Sequence, residues 1–298
     1  MERLDEVARG AEAVTMAVLA TRGVLVAEMQ ARLAHHGLLD PPATGVLDPA
    51  TQWALMQFAG ATGAPFEGGL TPDAARALLR DEPVLPLKPG GDLAGWIAAA
   101  LVRRGDPLCR HPDCVNIVYV EGMDREGRVI PRRPDAFDDL RLLLRVAPGG
   151  RPEIVGAWEA TADSGAPAVE GPAEPQGAPR IALGWHRAWV MGATAVGTEL
   201  EQEALVQVLP LPVTRDANRD YHREGDPQER GIYLIDQHGA FDAARERIGG
   251  TGAGCLVGRD QDGHAEFMAR LRRDPRWRVN TAHVWGTSVL RAEEVVGG

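Results

Sequence analysis

Gln237-His238-Gly239, a loop, and then Gly252-Ala253-Gly254-Cys255-Leu256-Val257 decide how the larger part of this chain reads. His238 follows the apolar run Gly231-Ile232-Tyr233-Leu234-Ile235, which reads as a buried strand, and Cys255 opens a second short apolar run after a glycine-rich turn. Two strand ends joined by a loop bring their side chains to the same rim of a sheet. A thiol attacks a carbonyl only as its thiolate, so a catalytic cysteine needs a proton acceptor or a positive charge beside it; His238 is placed to be that acceptor. The glycines at 252 and 254 let the backbone turn sharply, which directs its N–H groups towards a developing oxyanion. The same residues also suit a plainer role, Cys255 as a small buried hydrophobe and His238 as a turn residue. The glycine pattern and the spacing favour the chemical one.

Outward from this pair the chain is strand-rich from Val115 on. Segments 116–121, 140–146, 153–160, 180–191, 204–213, 231–237 and 280–290 read as strands. One helix is expected near 263–273, with Phe267, Met268 and Leu271 on its inner face. The Pro/Gly/Ala-rich segment 162–179 is expected to hold no regular element. Strands dominate and helices are segregated from them, which predicts an α+β domain on a mainly antiparallel, sandwich-like sheet.

The N-terminal part reads differently. Val26, Met29 and Leu33 recur at helical spacing and Gly37 supplies a stop. Asp48-Pro49 pairs a capping side chain with proline at the first helical position, ahead of Trp53, Leu55, Met56 and Phe58. Thr71-Pro72-Asp73 repeats the signal before Ala74, Ala75, Leu78 and Leu79. The expected order is helix, Gly turn, helix, Gly-rich loop, helix: a small three-helix bundle with its aromatics in the core. The Pro/Gly stretch 81–91 reads as a linker, followed by a helix at 93–103. The domains expected are thus 1–85, a connecting segment 86–114, and 115–298.

Two resemblances follow from these residues. His-Gly, a loop, and then Ser/Thr-x-Gly-Cys is the signature of L,D-transpeptidases of the YkuD type, cysteine acyltransferases acting on the stem peptides of peptidoglycan, and residues 237–257 resemble it. The resemblance implies Cys255 as nucleophile, His238 as its base and the backbone around Gly254 as oxyanion support, with Gly239 beside the substrate and no cofactor or metal. Gly252 stands where that family usually has Ser or Thr, Ala253 where it commonly has a second histidine, and Val257 where it commonly has Arg; Arg259 is the candidate substitute for the last. The N-terminal part resembles the small peptidoglycan-binding domain often appended to wall enzymes, through Met29-Gln30, Leu33, Gly37, Gly45-x-x-Asp48-x-x-Thr51, Ala54-Leu55, Phe58, Gly69 and Thr71. Together they imply a wall protein with peptidoglycan as partner, acting as a transpeptidase or as a lytic peptidase, or else a non-catalytic wall-binding or particle-structural protein that keeps the fold.

Composition and the remaining motifs set limits. The chain has 298 residues and a formal net charge of −10, so a nucleic-acid partner has no electrostatic support. No segment approaches the roughly 18 apolar residues of a membrane span. The acidic start, Met1-Glu2-Arg3-Leu4-Asp5-Glu6, lacks the basic region of a secretory signal. A wall substrate then implies delivery by a phage-like particle or through a lysis pore, or a leader already removed. Cys109-Arg110-His111-Pro112-Asp113-Cys114 lacks the second Cys/His pair that a structural zinc site needs, leaving a local disulfide or two plain thiols. Asp216, Asn218 and Asp220 alternate like the start of a calcium loop, without its Gly or its final Glu, and fit an acidic turn. In Trp185-His186-Arg187-Ala188-Trp189, strand alternation predicts Trp185, Arg187 and Trp189 on one face, where Arg187 suits a peptide carboxylate beside the acyl site or a mixed core edge. Glu121 and Glu159 show no spacing that marks a glycosidase pair.

Overall fold

In the computed structural model, which describes residues 3–64 and 68–297, two helices start at the expected capping residues Asp48 and Thr71. The N-terminal part runs α1 (Leu4–Arg9), β1 (Val14–Thr15), α2 (Met16–Leu19), α3 (Gly23–His35), α4 (Pro49–Thr62), β2 (Gly69–Leu70) and α5 (Pro72–Leu78). The Asp48 carboxylate accepts the Thr51 amide at 2.7 Å and opens α4, and the Thr71 hydroxyl accepts that of Ala74 at 3.1 Å and opens α5. Residues 65–67 of the expected Gly-rich loop lie outside the described residues. Leu25, Met29 and Leu33 of α3 meet Trp53, Leu55 and Phe58 of α4 and Leu78 of α5 in one core. Buried Gln30 spends its amide on the approach to α4: its oxygen accepts the Thr44 and Gly45 N–H groups, each at 2.8 Å, and its nitrogen donates to Val46 O and Thr51 Oγ1, each at 2.9 Å. Every polar group of that amide is thereby matched, as burial requires.

After residues 81–91 comes α6 (Leu93–Arg104), then β3 (Asn116–Glu121), β4 (Asp139–Val146), β5 (Pro152–Thr161), α7 (Ala166–Glu170), β6 (Ala178–Ile181), β7 (Gly184–Thr194), β8 (Gln202–Gln207), β9 (Leu211–Asp216) and β10 (Gln228–Gly231). The chain ends with β11 (Gln237–Gly239), β12 (Leu256–Gly258), α8 (Gln261–Leu271), α9 (Pro275–Val279), β13 (Trp285–Arg291) and α10 (Ala292–Val296). The large, mainly antiparallel sheet closes on itself in the order β11-β12-β5-β4-β3-β13-β7-β8, with parallel joints at β11/β12 and β3/β13; β10, β9 and β6 form a small separate sheet. Alternation along the strands builds two cores. Ile117, Tyr119 and Leu143 face Phe267, Met268 and Leu271 of α8, whereas Val118, Val120, Leu142 and Leu144 face Ile97 and Leu101 of α6.

The structure departs from the sequence reading in several places. Segment 231–235 is not a strand beyond Gly231, because the Gln207 side chain replaces a neighbouring strand: its oxygen accepts the Tyr233 and Ile235 amides at 3.0 and 2.9 Å, and its nitrogen donates to Gly231 O at 3.1 Å. Segment 180–191 divides at Leu183 into β6 and β7 of different sheets, and 204–213 divides at 208–210, where Pro210 has no N–H for a ladder. Segment 162–179 does hold a helix, α7, with a proline in its first turn and its Ala166 N–H donating to Asp135 Oδ1 at 2.9 Å. Finally, β7 bulges against β13: Trp285 pairs with Trp189 but Gly286 pairs with Arg187. The extra residue rotates Trp189 into the core, so Arg187 and Trp189 do not share a face.

Candidate functional site

The parallel pair β11/β12 sets the site. Its register is Gln237↔Leu256, His238↔Val257 and Gly239↔Gly258. Gln237 and Leu256 are fully buried, and alternation places His238, Val257 and Cys255 together on the other face. The diagonal offset between His238 and Cys255 corresponds to about 7–8 Å between neighbouring strand positions. Phe137, Ala240 and Ile248 pack with Val257 over this face, and Cys255 packs at their edge.

His238 is oriented. Its Nδ1 lies 2.9 Å from the Gly239 carbonyl. A carbonyl only accepts, so Nδ1 carries the proton and Nε2 holds the free lone pair, the tautomer of a general base. Burial lowers the imidazole pKa against the pull of the Gly239 carbonyl and Asp236, and the guanidinium of Arg141 pushes in the same direction as burial. Arg141 is fully buried inside the barrel, its charge set over the Phe267 ring at 4.3 Å and its Nη1 3.2 Å from His264 Nδ1. Gly239, expected beside substrate, also anchors the base through its carbonyl. Gln202 Nε2 donates to its carbonyl at 3.0 Å, and a Cβ there would stand 3.1 Å from that of His264.

The Cys255 thiol donates to Leu234 O at 3.5 Å and makes no hydrogen bond to His238 among the described residues. Burial pushes its pKa up to about 11, although backbone hydrogen bonds from Asp236 and Ala253 act against that rise. The N–H groups of Gly254 and Cys255 have no acceptor among the described residues. Gly254 has φ +104°, and a Cβ on it would meet Pro179 O at 2.7 Å, so the approach to Cys255 needs glycine. Leu234 has φ +58° and is 71% exposed, an unusual conformation for a bulky residue at the point where its carbonyl accepts the thiol's hydrogen bond.

A cleft of about 780 Å³ opens beside this turn, lined among others by Gly252, Ala253, Pro179, Tyr233 and Leu234. Its charged lining is Glu174 and an ion pair, Arg215 Nε to Glu229 at 3.0 Å, with the Arg215 guanidinium 4.7 Å from the Tyr233 ring centroid.

The other anticipated substrate contacts lie elsewhere. Arg259 is held by Glu159 at 2.6 Å and donates to Ala243 O. Arg187 and Trp185 face the junction with the N-terminal helices and do not line the cleft. Asp216 and Asn218 spend oxygens on the amides of their own turn, Asp216 on Asp220 and Tyr221 and Asn218 on Asp220. No group of three or more His, Cys, Asp or Glu among the described residues is arranged to hold a metal ion. Cys109 and Cys114 are buried free thiols.

Sequence reasoning missed the support beneath the cleft. Glu121, fully buried at the end of β3, pairs with Arg223, with Arg132 at 3.1 Å and with Arg180 at 3.5 Å. Arg180 reaches Asp163 at 2.5 Å, beside Ser164, which donates to Pro179 O in the cleft wall. Burial pushes the Glu121 carboxyl up, but Arg223 and Arg132 outweigh it and hold it below the usual range. Burial drives its neighbour Asp139 up to about 7 despite Arg132. The cluster becomes visible only once β3 and β4 are paired, because Val120↔Leu140 sets Glu121 beside Asp139.

Residues 22–78 match the family described as a putative peptidoglycan binding domain. The chain thus carries a peptidoglycan-binding domain at its N-terminus, which associates it with the cell wall. No curated protein and no solved structure matches it. No helix among the described residues is long and apolar enough to cross a membrane.

Proposed function

We propose that this is a peptidoglycan-acting cysteine acyltransferase or peptidase, in which the N-terminal domain holds the wall and the barrel works on its stem peptides. The observation that carries the reading is the Nδ1 hydrogen bond of His238 to Gly239 O, which leaves Nε2 free on the sheet face that also bears Cys255. The cleft beside Ala253 has room for a peptide segment. In the step envisaged, the Cys255 proton passes to His238 Nε2 as sulfur bonds to the peptide carbonyl carbon. The oxyanion is met by the unengaged N–H groups of Gly254 and Cys255. Collapse breaks the C–N bond, the departing amine takes the proton from Nε2, and a thioester remains. An incoming amine then gives a crosslink, and water gives hydrolysis.

One observation favours a second reading, a wall-binding protein without catalysis: the resting thiol is engaged with Leu234 O and its pKa is raised to about 11. Incubation with purified sacculi and mass analysis of the muropeptides separates the two. The enzyme reading expects altered muropeptides, abolished in Cys255→Ala and His238→Gln while sedimentation with sacculi persists. Sacculi left unchanged by the wild type between pH 5 and 9, with no acyl adduct by intact mass, would leave only the binding reading.

A further inference from the structure

The peptidoglycan-binding domain is seated on the barrel. Asp40 pairs with Arg276 at 2.9 Å, both side chains nearly buried, and Arg110 N donates to Gly37 O at 2.7 Å. Between the two parts remains a cavity of about 150 Å³, lined by Asp40, Asp48 and Thr51 on one side and Arg187, Asn280 and His283 on the other, among others.

Its polar groups are unevenly matched. Arg187 is half-buried, donates from Nε to Val284 O at 3.1 Å, and has no carboxylate within ion-pair distance among the described residues. The two lining acids are already engaged: Asp40 Oδ2 accepts from Arg276, and Asp48 Oδ1 accepts the Thr51 amide at 2.7 Å and hydroxyl at 2.6 Å. The His283 side chain is only 5% exposed, lies 3.7 Å from Asp40 Oδ2, and its Nε2 has no hydrogen-bond partner. Burial pushes the His283 pKa down to about 3, so the ring is a neutral donor and acceptor at neutral pH. The N-terminus of α4 adds its positive end at Asp48–Thr51. A half-buried guanidinium that feels Asp40 and Asp48 but is in ion-pair contact with neither, and a buried imidazole nitrogen without a partner, face one cavity and are what an anion would satisfy. A carboxylate fits the planar fork of a guanidinium with two parallel hydrogen bonds.

We propose that the cavity between the helical domain and β7 is a second binding site of the chain, where Arg187, with His283 and Asn280, takes a free carboxylate of the wall's peptide stems. The proposal rests on the wall-binding reading. It gives the barrel a share in wall recognition at a place separate from the Cys255 cleft.

The test uses full-length protein, labelled with ¹⁵N-histidine, and two soluble probes: N-acetylmuramyl-L-alanyl-D-isoglutamine and the same glycopeptide with its carboxylate converted to an amide. The acid is expected to shift the His283 ring resonances, identified through His283→Gln. The amide should bind at least about ten-fold more weakly, and so should the acid to Arg187→Gln, the size of one charge-assisted hydrogen bond. Equal affinity for acid and amide, or binding that leaves His283 unmoved, would overturn the proposal. If Arg187→Gln fails to fold, the acid–amide comparison on the wild type decides alone. Wild-type sedimentation with sacculi is run in parallel. Loss of sedimentation with the His283 response intact removes the wall-binding reading, whereas sedimentation without acid–amide discrimination removes only this site.

Discussion

At the scale of single residues, the chemistry turns on a thiol that is protonated at rest and a histidine whose tautomer is fixed. A thiol with a pKa of about 11 is deprotonated in about one molecule in ten thousand at pH 7, so Cys255 in the free protein should alkylate slowly there. Its iodoacetamide rate should climb roughly ten-fold per pH unit from 7 towards 10, because the thiolate fraction does so below the pKa. Cys114 is fully buried and pushed well above the ordinary thiol range by that burial and by its hydrogen bond with Cys109, so that pair should stay unlabelled while the fold holds. Peptide mapping after timed labelling checks the order. A pH-independent rate at Cys255 would mean that His238 or a backbone donor already holds a thiolate, contrary to the protonated resting state. Burial is the main reason to expect the protonated form, and the Leu234 carbonyl, which can only accept, also favours S–H over S⁻.

At the scale of elements, the site depends on how the turn before β12 is held. The cluster of Glu121 with Arg132, Arg180 and Arg223 ties the end of β3 to the cleft wall through Asp163 and Ser164. Removing one member of such a buried set leaves the others uncompensated, so Glu121→Gln is expected to cost about 3–5 kcal/mol of stability. Urea denaturation measures it; a loss below about 1 kcal/mol would show that water already solvates the cluster. Glycine punctuation made the short run after Cys255 legible as β12, but the strand before His238, expected at 231–237, lies at Gln237–Gly239. The sequence also located α4 and α5 through Asp48 and Thr71, whose capping is a local matter. What it hid was non-local. A Gln207 side chain standing in for a strand, a bulge that rotates Trp189 away from Arg187, and an acid–arginine cluster assembled from β3, β6 and two loops all depend on partners distant in sequence. The same limit explains why Arg187 read as a partner for the acyl site. Its strand was identified correctly, but which neighbour that strand faces is set by the sheet's closure.

At the scale of the whole molecule, the helical domain and the barrel share interior. Cys109 and Cys114, which follow α6, lie in the helical core with Leu33 and Phe58, and His111 packs edge-on against Trp53 at 5.0 Å. A fragment of residues 1–85 should therefore melt at a lower temperature than one of residues 1–116, with sedimentation on sacculi retained by whichever fraction is folded; equal melting temperatures would mean that the added segment contributes nothing to that core. Buried histidines also carry an acid sensitivity. Burial lowers the pKa of His186 to about 4 and those of His264 and His283 to about 3, below the ordinary 6.5. The unfolded chain takes up these protons first, so the stability they contribute is present above about pH 6.5 and is lost as pH falls towards 3–4. Asp139, raised to about 7, acts in the opposite sense: its contribution is present below the ordinary carboxyl range, is lost as pH rises through 7, and so returns on acidification. Each pKa unit corresponds to about 1.4 kcal/mol. Burial also lowers His36, His111 and His238 and raises Asp106, Asp163 and Asp226, so among the described residues six depressed histidines stand against four raised acids. The melting temperature should fall from pH 7 to pH 4.5. His283→Gln, which removes the one at the domain junction, should make that fall shallower even if it lowers the melting temperature at pH 7. Differential scanning calorimetry at both pH values reads the two slopes, and a wild-type protein that melts higher at pH 4.5 would show that the carboxylate contribution dominates instead.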